Sequence, residues 1–170
     1  AAPQLSTPQL CQAVEESVEL GATTVILLGG EPLLRRDLEK IIQSADRGRA
    51  QTVLFTNGEF LTGRRCESLK QAGLQGIFVS VDSVRAEEHD SLRKRSGLFA
   101  ALESGIQSAV EAGLLVAVSS YLTDERVQSG VFEQTMDFAR GCGAHEVTFF
   151  DAIATGRLAG EKASFLSAGA

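Results

Sequence analysis

The sequence predicts an α/β fold in which parallel strands alternate with helices. Short apolar runs of four or five residues alternate with longer segments that carry a helical apolar stripe. The helical segments end in similar ways, as in Ala72-Gly73-Leu74 and Ala112-Gly113-Leu114, and glycine readily ends a helix. Alternation at this spacing predicts parallel strands joined by right-handed helical connections.

The length and composition fit one globular domain. The chain has 170 residues, of which 44% are hydrophobic and 22% are charged. Its 16 basic and 22 acidic residues give a net charge of −6, which argues against a broad surface for nucleic acid. No apolar run approaches the roughly 20 residues that a membrane span needs, and no signal peptide pattern opens the chain. We therefore expect a cytoplasmic protein with neither a nucleic-acid nor a membrane partner.

Helices are predicted where apolar residues recur every three or four positions between a capping residue and a glycine. Ser6-Thr7-Pro8 begins the first helix, since a hydroxyl group can cap the end and proline suits the first turn. The polar segment from Arg85 to Gly97 is expected to be a partly irregular connection. The remaining predicted helices cover residues 35–48, 62–73, 98–112 and 123–140.

Five apolar runs are predicted to be strands. They are continuous rather than alternating, which is typical of strands buried on both faces of a parallel sheet. The chain begins with a predicted helix, an unusual start for such a sheet, which suggests that a strand belongs upstream of it. The predicted strands cover residues 24–29, 52–55, 77–81, 114–118 and 146–150.

Segments with polar side chains, or with glycines that expose the backbone, follow all five predicted strands. Because the carboxyl ends of parallel strands lie along one edge of a sheet, these segments should meet there and form a binding site. The segments are Gly29-Gly30-Glu31, Thr56-Asn57-Gly58, Ser80 to Ser83, Ser119-Ser120 and Asp151.

The stretch from Val25 to Pro32 is central to this prediction. Four apolar residues run into Gly29-Gly30, where no side chain blocks the close approach of another molecule. Glu31 then offers a carboxylate at this edge, and Pro32 ends the strand pairing. A strand followed by an ordinary Gly-Pro turn would use the same residues, so the stretch alone leaves both interpretations open.

Taken together, these motifs resemble those of the radical S-adenosylmethionine (SAM) enzymes, over roughly residues 6 to 158. Each motif alone is weak, whereas their order and spacing are specific. The matching motifs are Gly29-Gly30-Glu31-Pro32, Thr56-Asn57-Gly58, Val79 to Ser83 with His89-Asp90 and Arg93 downstream, and Thr155-Gly156-Arg157.

The resemblance implies a partial TIM barrel that binds SAM and a 4Fe-4S cluster at the carboxyl ends of its strands. In such enzymes the reduced cluster cleaves SAM to a 5′-deoxyadenosyl radical, which abstracts hydrogen from the substrate. The resemblance also implies that SAM contacts the backbone at the two glycines. The SAM-binding residues implied in this way are Gly29, Gly30, Glu31, Pro32, Asn57, Ser80, Asp82, Arg93, Ser119 and Ala152.

The cysteines depart from the pattern of that family. The family holds its cluster with a C-x-x-x-C-x-x-C loop after the first strand, whereas Cys11, Cys66 and Cys142 lie far apart in or beside helical segments. We therefore expect no metal ligand in this chain and place the cluster loop and the first strand outside its 170 residues. The alternative is a degenerate or non-catalytic barrel that binds a ligand or a partner.

The expected barrel domain covers residues 1–158, followed by a frayed tail rich in Gly, Ala and Ser over residues 159–170. Its partners would be a small-molecule or peptide substrate and an electron donor. An unpaired apolar strand edge would also favour a homo-oligomer. An ordinary TIM-barrel enzyme for a phosphorylated substrate has weaker support, since only Thr155-Gly156-Arg157 resembles a phosphate site.

Overall fold

The computed structural model describes residues 5–151, which form one five-stranded parallel sheet with its connecting helices. The strands lie in the order β1-β2-β3-β4-β5, and each pairs in parallel with the next. The predicted alternation of parallel strands and helices is therefore confirmed. The strands are β1 Thr24–Leu27, β2 Gln51–Thr56, β3 Gly76–Ser80, β4 Leu115–Leu122 and β5 Glu146–Asp151.

The helices begin largely where the sequence places capping residues. The backbone N–H of Ser6 donates to the Gln9 side chain at 2.9 Å, and the hydroxyl groups of Thr62 and Thr123 each accept a hydrogen bond from a backbone N–H. Within the described residues the helices are α1 Thr7–Glu19, a 3₁₀ turn Pro32–Leu34, α2 Leu38–Gln43, α3 Gly63–Ala72, α4 Ala86–Arg93, α5 Leu98–Glu111, α6 Asp124–Gln128 and α7 Val131–Gly141.

The segment after β3, which the sequence predicted to be partly irregular, contains the helix α4. Acidic Glu87 and Glu88 in its first turn and basic Arg93 in its last turn favour a helix through its dipole. His89 is the one buried residue of this helix. A helix with a single buried side chain has no apolar stripe, so the periodicity did not predict it.

Two other predicted helices differ in extent: one is shorter than predicted, and one is divided in two. After β1 the chain first makes the 3₁₀ turn, which leaves the Leu34 side chain 65% exposed, and α2 then spans only six residues. The helix predicted over residues 123–140 is two helices, because Gly130 adopts a left-handed conformation with φ of 74° between them.

Two strand ends differ from the prediction by more than one residue. β4 continues to Leu122 because it pairs with β5 along this length, so Ser119 and Ser120 lie inside the strand. β1 ends earlier, at Leu27, so the bare backbone at Gly29 begins beyond the last paired residue.

The convex face of the sheet is covered by helices and forms the main core. Ile77 and Val79 of β3 are fully buried there, together with Leu69 of α3 and Leu102 and Ile106 of α5. Burial of such side chains contributes the largest favourable free energy to folding. This core fixes the orientation of the strands and hence of their carboxyl ends.

The other face of the sheet is concave and carries aromatic side chains. The rings of Phe55 and Phe78 stack with their centroids 4.4 Å apart, and Phe150 approaches Phe55 to 6.2 Å. Three strand spacings separate β2 from β5, about 14 Å in a flat sheet. A ring contact across this span fits the curved sheet of a partial barrel.

Two glycines allow the loop after β2 to pack directly on α5. A Cβ on Gly105 would lie 2.6 Å from the Cβ of Leu61, and one on Gly58 would lie 2.7 Å from the Cβ of Leu102. Side chains at these positions would therefore displace backbone. The close contact fixes the loop that begins with Asn57, one of the predicted site residues.

The predicted domain boundary at residue 158 and the tail over residues 159–170 lie outside the described residues and stay predictions. Thr155-Gly156-Arg157 lies outside them as well. Across residues 5–151, no helix combines the length and the apolar character that crossing a membrane requires.

Gly105→Ala should lower the free energy of unfolding by about 1–3 kcal/mol, because the added methyl group overlaps Leu61. Gly141→Ala in α7 is the matched control, since a Cβ there meets no other atom within 4 Å. The control should leave stability unchanged or raise it by up to about 1 kcal/mol. Urea unfolding followed by circular dichroism measures both, and equal stabilities would contradict the close packing on α5.

Candidate functional site

The carboxyl ends of the strands bring four predicted site residues to one edge of the sheet. Ser80 and Ser119 are paired neighbours on β3 and β4, and the β2–β3 register places Asn57 beside Ser80. Glu31 reaches the same edge, where its carboxylate contacts the backbone of Asn57. The expectation that the first four of these segments lie along one edge of the sheet is therefore confirmed, although Ser119 lies three residues before the end of β4.

The carboxylate of Glu31 joins the first two strand ends. Its Oε1 accepts hydrogen bonds from Thr56 Oγ1 at 2.7 Å and from Leu33 N at 3.1 Å, and its Oε2 accepts one from Asn57 N at 2.8 Å. Three donors to one half-buried carboxylate hold it firmly, because hydrogen bonds to a charged group are strong. The side chain thus fixes two loops to each other.

The backbone at Gly29 and Gly30 is open to approach. Both glycines are exposed, and a Cβ on either would have no other atom within 4 Å. They lie along a groove of about 590 Å³ whose walls include Leu28, Pro32 and Ile41. A ligand can therefore reach the peptide groups of these glycines without displacing a side chain.

A second cleft, of about 460 Å³, lies on the other side of Glu31. Asn57 and Arg93 both line it, together with Phe60 and Leu98. The Asn57 side chain accepts a hydrogen bond from the N–H of Glu59 at 2.9 Å, which orients its amide group. Two site residues predicted from separate motifs thus share the wall of one cleft.

Asp82 and Arg93 form an ion pair at the end of β3. The guanidinium group binds the carboxylate at two points, through Nε at 2.5 Å and Nη2 at 2.9 Å. A guanidinium fork suits this geometry. The carboxylate that Arg93 pairs with is thus one from the protein itself, and the pair holds Arg93 at the wall of the second cleft.

His89 lies beneath this ion pair, although nothing in the sequence marks it as buried. Its side chain is 0% exposed, its Nδ1 accepts a hydrogen bond from Asp82 N at 3.2 Å, and the Phe99 ring packs edge-on against it. Burial lowers the pKa of His89, an effect that the nearby Asp82 charge opposes. His89 is therefore neutral near pH 7, as its role as an acceptor requires.

The hydroxyl groups of Ser80 and Ser119, which are paired neighbours on β3 and β4, differ in their surroundings. Ser119 is buried and its Oγ lies 3.4 Å from the carbonyl oxygen of Val79, whereas Ser80 is half-buried at the strand end. Arg126, which the sequence does not single out, binds β4 at Ser120. The predicted contact at Ala152 lies outside the described residues and stays a prediction.

The three cysteines are not arranged to hold an iron-sulfur cluster. Cys66 and Cys142 are buried, and Cys11 is half-buried on α1. Burial raises the pKa of the Cys66 thiol to about 11 and raises that of Cys142 as well, whereas a metal ligand must be a thiolate. In the part of the chain that the structure describes, no three His, Cys, Asp or Glu side chains are grouped to bind a metal ion. These residues therefore do not fit a 4Fe-4S cluster.

Glu31→Gln should lower the free energy of unfolding by about 1–3 kcal/mol, because an amide nitrogen replaces one of the acceptor oxygens and leaves a donor without its partner. Glu15→Gln, at an exposed position of α1, is the control with the same chemical change. Urea unfolding should separate the two variants. If both are as stable as the parent chain, the Glu31 carboxylate does not join the two strand ends.

His89→Gln should reduce the loss of stability on acidification. An unfolded histidine takes up a proton near pH 6.5, whereas the folded pKa of His89 lies lower, so stability falls as the pH drops below that value. Glutamine can still accept from Asp82 N and does not titrate.

The free energy of unfolding is measured for both proteins between about pH 7.5 and about pH 5, and its slope against pH is compared. The window avoids Asp37, whose pKa Arg35 and Thr7 hold at about 2. An equally steep slope in His89→Gln would show that another group is responsible.

Comparison with known proteins places the sequence in a family. The Radical SAM superfamily matches residues 2–139. The AdoMet-dependent heme synthase of Methanosarcina barkeri is 31% identical over 156 residues, which cover 92% of this chain and 44% of that protein. The GTP 3′,8-cyclase of Aquifex aeolicus is 46% identical over 96 residues, which cover 55% of this chain and 30% of that protein. The chain thus spans less than half the length of these curated relatives.

Solved structures share the fold. SuiB of Streptococcus suis superposes with a TM-score of 0.72 at 12% identity, covering 98% of this chain and 37% of SuiB. The structure of anSMEcpe with bound AdoMet superposes with a TM-score of 0.71 at 13% identity, covering 90% of this chain and 44% of that one. At such identities the likeness shows the fold alone, a partial TIM barrel. With the match over residues 2–139, it follows that this chain belongs to the radical SAM superfamily.

Proposed function

We propose that this chain is the SAM-binding core of a radical SAM enzyme. SAM and a 4Fe-4S cluster are the cofactors of this family, and the cluster supplies the electron for reductive cleavage of SAM before hydrogen abstraction from a substrate. The observation that carries the proposal is the exposed backbone of Gly29 and Gly30 at the shared edge of the strands.

The geometry around these glycines supports a ligand with an ammonium group. An ammonium group only donates hydrogen bonds, and backbone carbonyl groups at a strand end can accept them. Asn57 and Ser80 add polar side chains at the same edge, and Arg93 stands at the wall of the second cleft. We propose that the methionine part of SAM lies against Gly29-Gly30 and that these side chains line its site.

The cluster ligands are proposed to come from residues outside this sequence. The cysteines at 11, 66 and 142 do not fit a cluster, because two are buried and all three lie in or beside separate helices. The chain covers 44% of the heme synthase that it resembles, so a protein of that length has further residues for this purpose.

For the substrate, we propose a small molecule or a peptide, with an electron donor as a further partner. Two relatives are named as a heme synthase and a GTP 3′,8-cyclase, and a third as a PqqA peptide cyclase. SuiB was solved with the precursor peptide SuiA, and anSMEcpe with the Cp18Cys peptide. A homo-oligomer is proposed as well, because an apolar parallel edge can pair with a second copy.

Gly30→Ala tests the SAM site directly. The free chain has room for the methyl group, so its stability should not change, whereas SAM affinity should fall at least about tenfold because the methyl group enters the space proposed for SAM. Gly63→Ala, where a Cβ is equally unhindered, is the matched control. Equilibrium dialysis with labelled SAM measures affinity, and equal affinities of the two variants would contradict the proposed site.

The natural polypeptide that contains this chain tests the reaction. Reconstituted anaerobically with iron and sulfide, it should release methionine and 5′-deoxyadenosine from SAM on reduction. Binding of SAM without cleavage would instead support the alternative of a non-catalytic binding module.

A further inference from the structure

Arg126 of α6 connects the ends of β3 and β4 beside the proposed SAM site. Its guanidinium group donates from Nη1 to Asp82 O at 2.7 Å, from Nε to Tyr121 O at 2.9 Å and from Nη2 to Ser120 Oγ at 3.1 Å. Its central carbon also lies 4.2 Å from the centre of the Tyr121 ring, a cation–π contact. One side chain thus binds both strand ends at once.

These contacts lie just beyond the backbone bonds that pair the two strands. Val81 N still donates to Ser119 O at 2.8 Å, and Ser120 Oγ donates to Val81 O at 2.7 Å. At the next residue, the carbonyl oxygen of Asp82 accepts from the Arg126 side chain instead of from a backbone N–H of β4. Arg126 therefore extends the connection between β3 and β4 by one residue.

Asp82 is held through all its polar groups. Its N–H donates to His89, its carbonyl oxygen accepts from Arg126, and its carboxylate binds the guanidinium group of Arg93. The position of Arg93 at the second cleft depends on where Asp82 lies. Of these three partners, Arg126 also binds β4, through the carbonyl oxygen of Tyr121. It therefore fixes the position of Asp82 relative to β4.

We propose that Arg126 is a positioning residue for the SAM site, which acts through Asp82 and Arg93 without contacting SAM. The inference rests on the proposed function. A lysine cannot replace Arg126, because a single ammonium group lacks the planar fork that reaches three separated acceptors. The charge alone is therefore not sufficient.

Arg126→Gln and Arg126→Lys should each weaken SAM binding about tenfold, measured by equilibrium dialysis on the natural polypeptide that contains this chain, reconstituted with iron and sulfide. Site-resolved amide exchange should be faster at Asp82 in both variants, while Val79 inside β3 stays as protected as in the parent chain. Arg140→Gln is the matched control, since Arg140 is exposed on α7 and, among residues 5–151, its side chain pairs with Asp137 alone. It should change neither quantity.

A second background tests whether the effect passes through Asp82. In Asp82→Asn, whose pairing with Arg93 is weakened, adding Arg126→Gln should change SAM affinity less than about twofold, because coupled residues are not additive. Full additivity would overturn the proposed route through Asp82.

Three further results would overturn the inference. These are unchanged SAM affinity in Arg126→Gln, unchanged exchange at Asp82, and loss of protection along the whole of β3, which would indicate general unfolding. If the parent polypeptide, reconstituted with its cluster, itself fails to bind SAM, the proposed function is wrong and the inference falls with it. If the parent polypeptide binds SAM and the Arg126→Gln variant binds it equally tightly, the inference about Arg126 is wrong while the proposed function stands.

Discussion

At the first two strand ends a single carboxylate accepts three hydrogen bonds, and the arrangement of the site depends on it. Glu31 binds Leu33 N in its own loop and Thr56 and Asn57 in the next one. Turning this carboxylate toward a ligand would leave three donors without their acceptor, at a cost of about 1–3 kcal/mol for each buried group. The part of this motif that a ligand can meet is therefore the backbone of the two glycines.

The same principle operates at the third and fourth strands. Where parallel strands separate at their ends, backbone groups lose their ladder partners and need others. Here side chains supply them: His89 and Arg126 bind the backbone of Asp82, and Ser120 binds that of Val81. These bonds come from the helices α4 and α6 and from the strand β4, so the shape of the edge depends on how the two helices pack against the sheet.

Beneath this polar edge lies an aromatic layer on the concave face of the sheet. Ser80 follows Phe78 of the Phe55–Phe78 stack by two residues, and positions two apart share a face of a strand. Ser80 thus stands at the polar edge of the face that carries the aromatic rings.

The sequence by itself determined the five strands, their parallel direction and the exposed glycine backbone after the first one. These depend on residues that are near each other in the chain, namely apolar runs, glycines and caps. Only the tertiary structure decided that Glu31 serves the protein's own loops, that His89 is buried in a helix, and that Arg126 holds Asp82. Such contacts join residues that are distant in sequence, and no local pattern specifies which distant donor meets which acceptor.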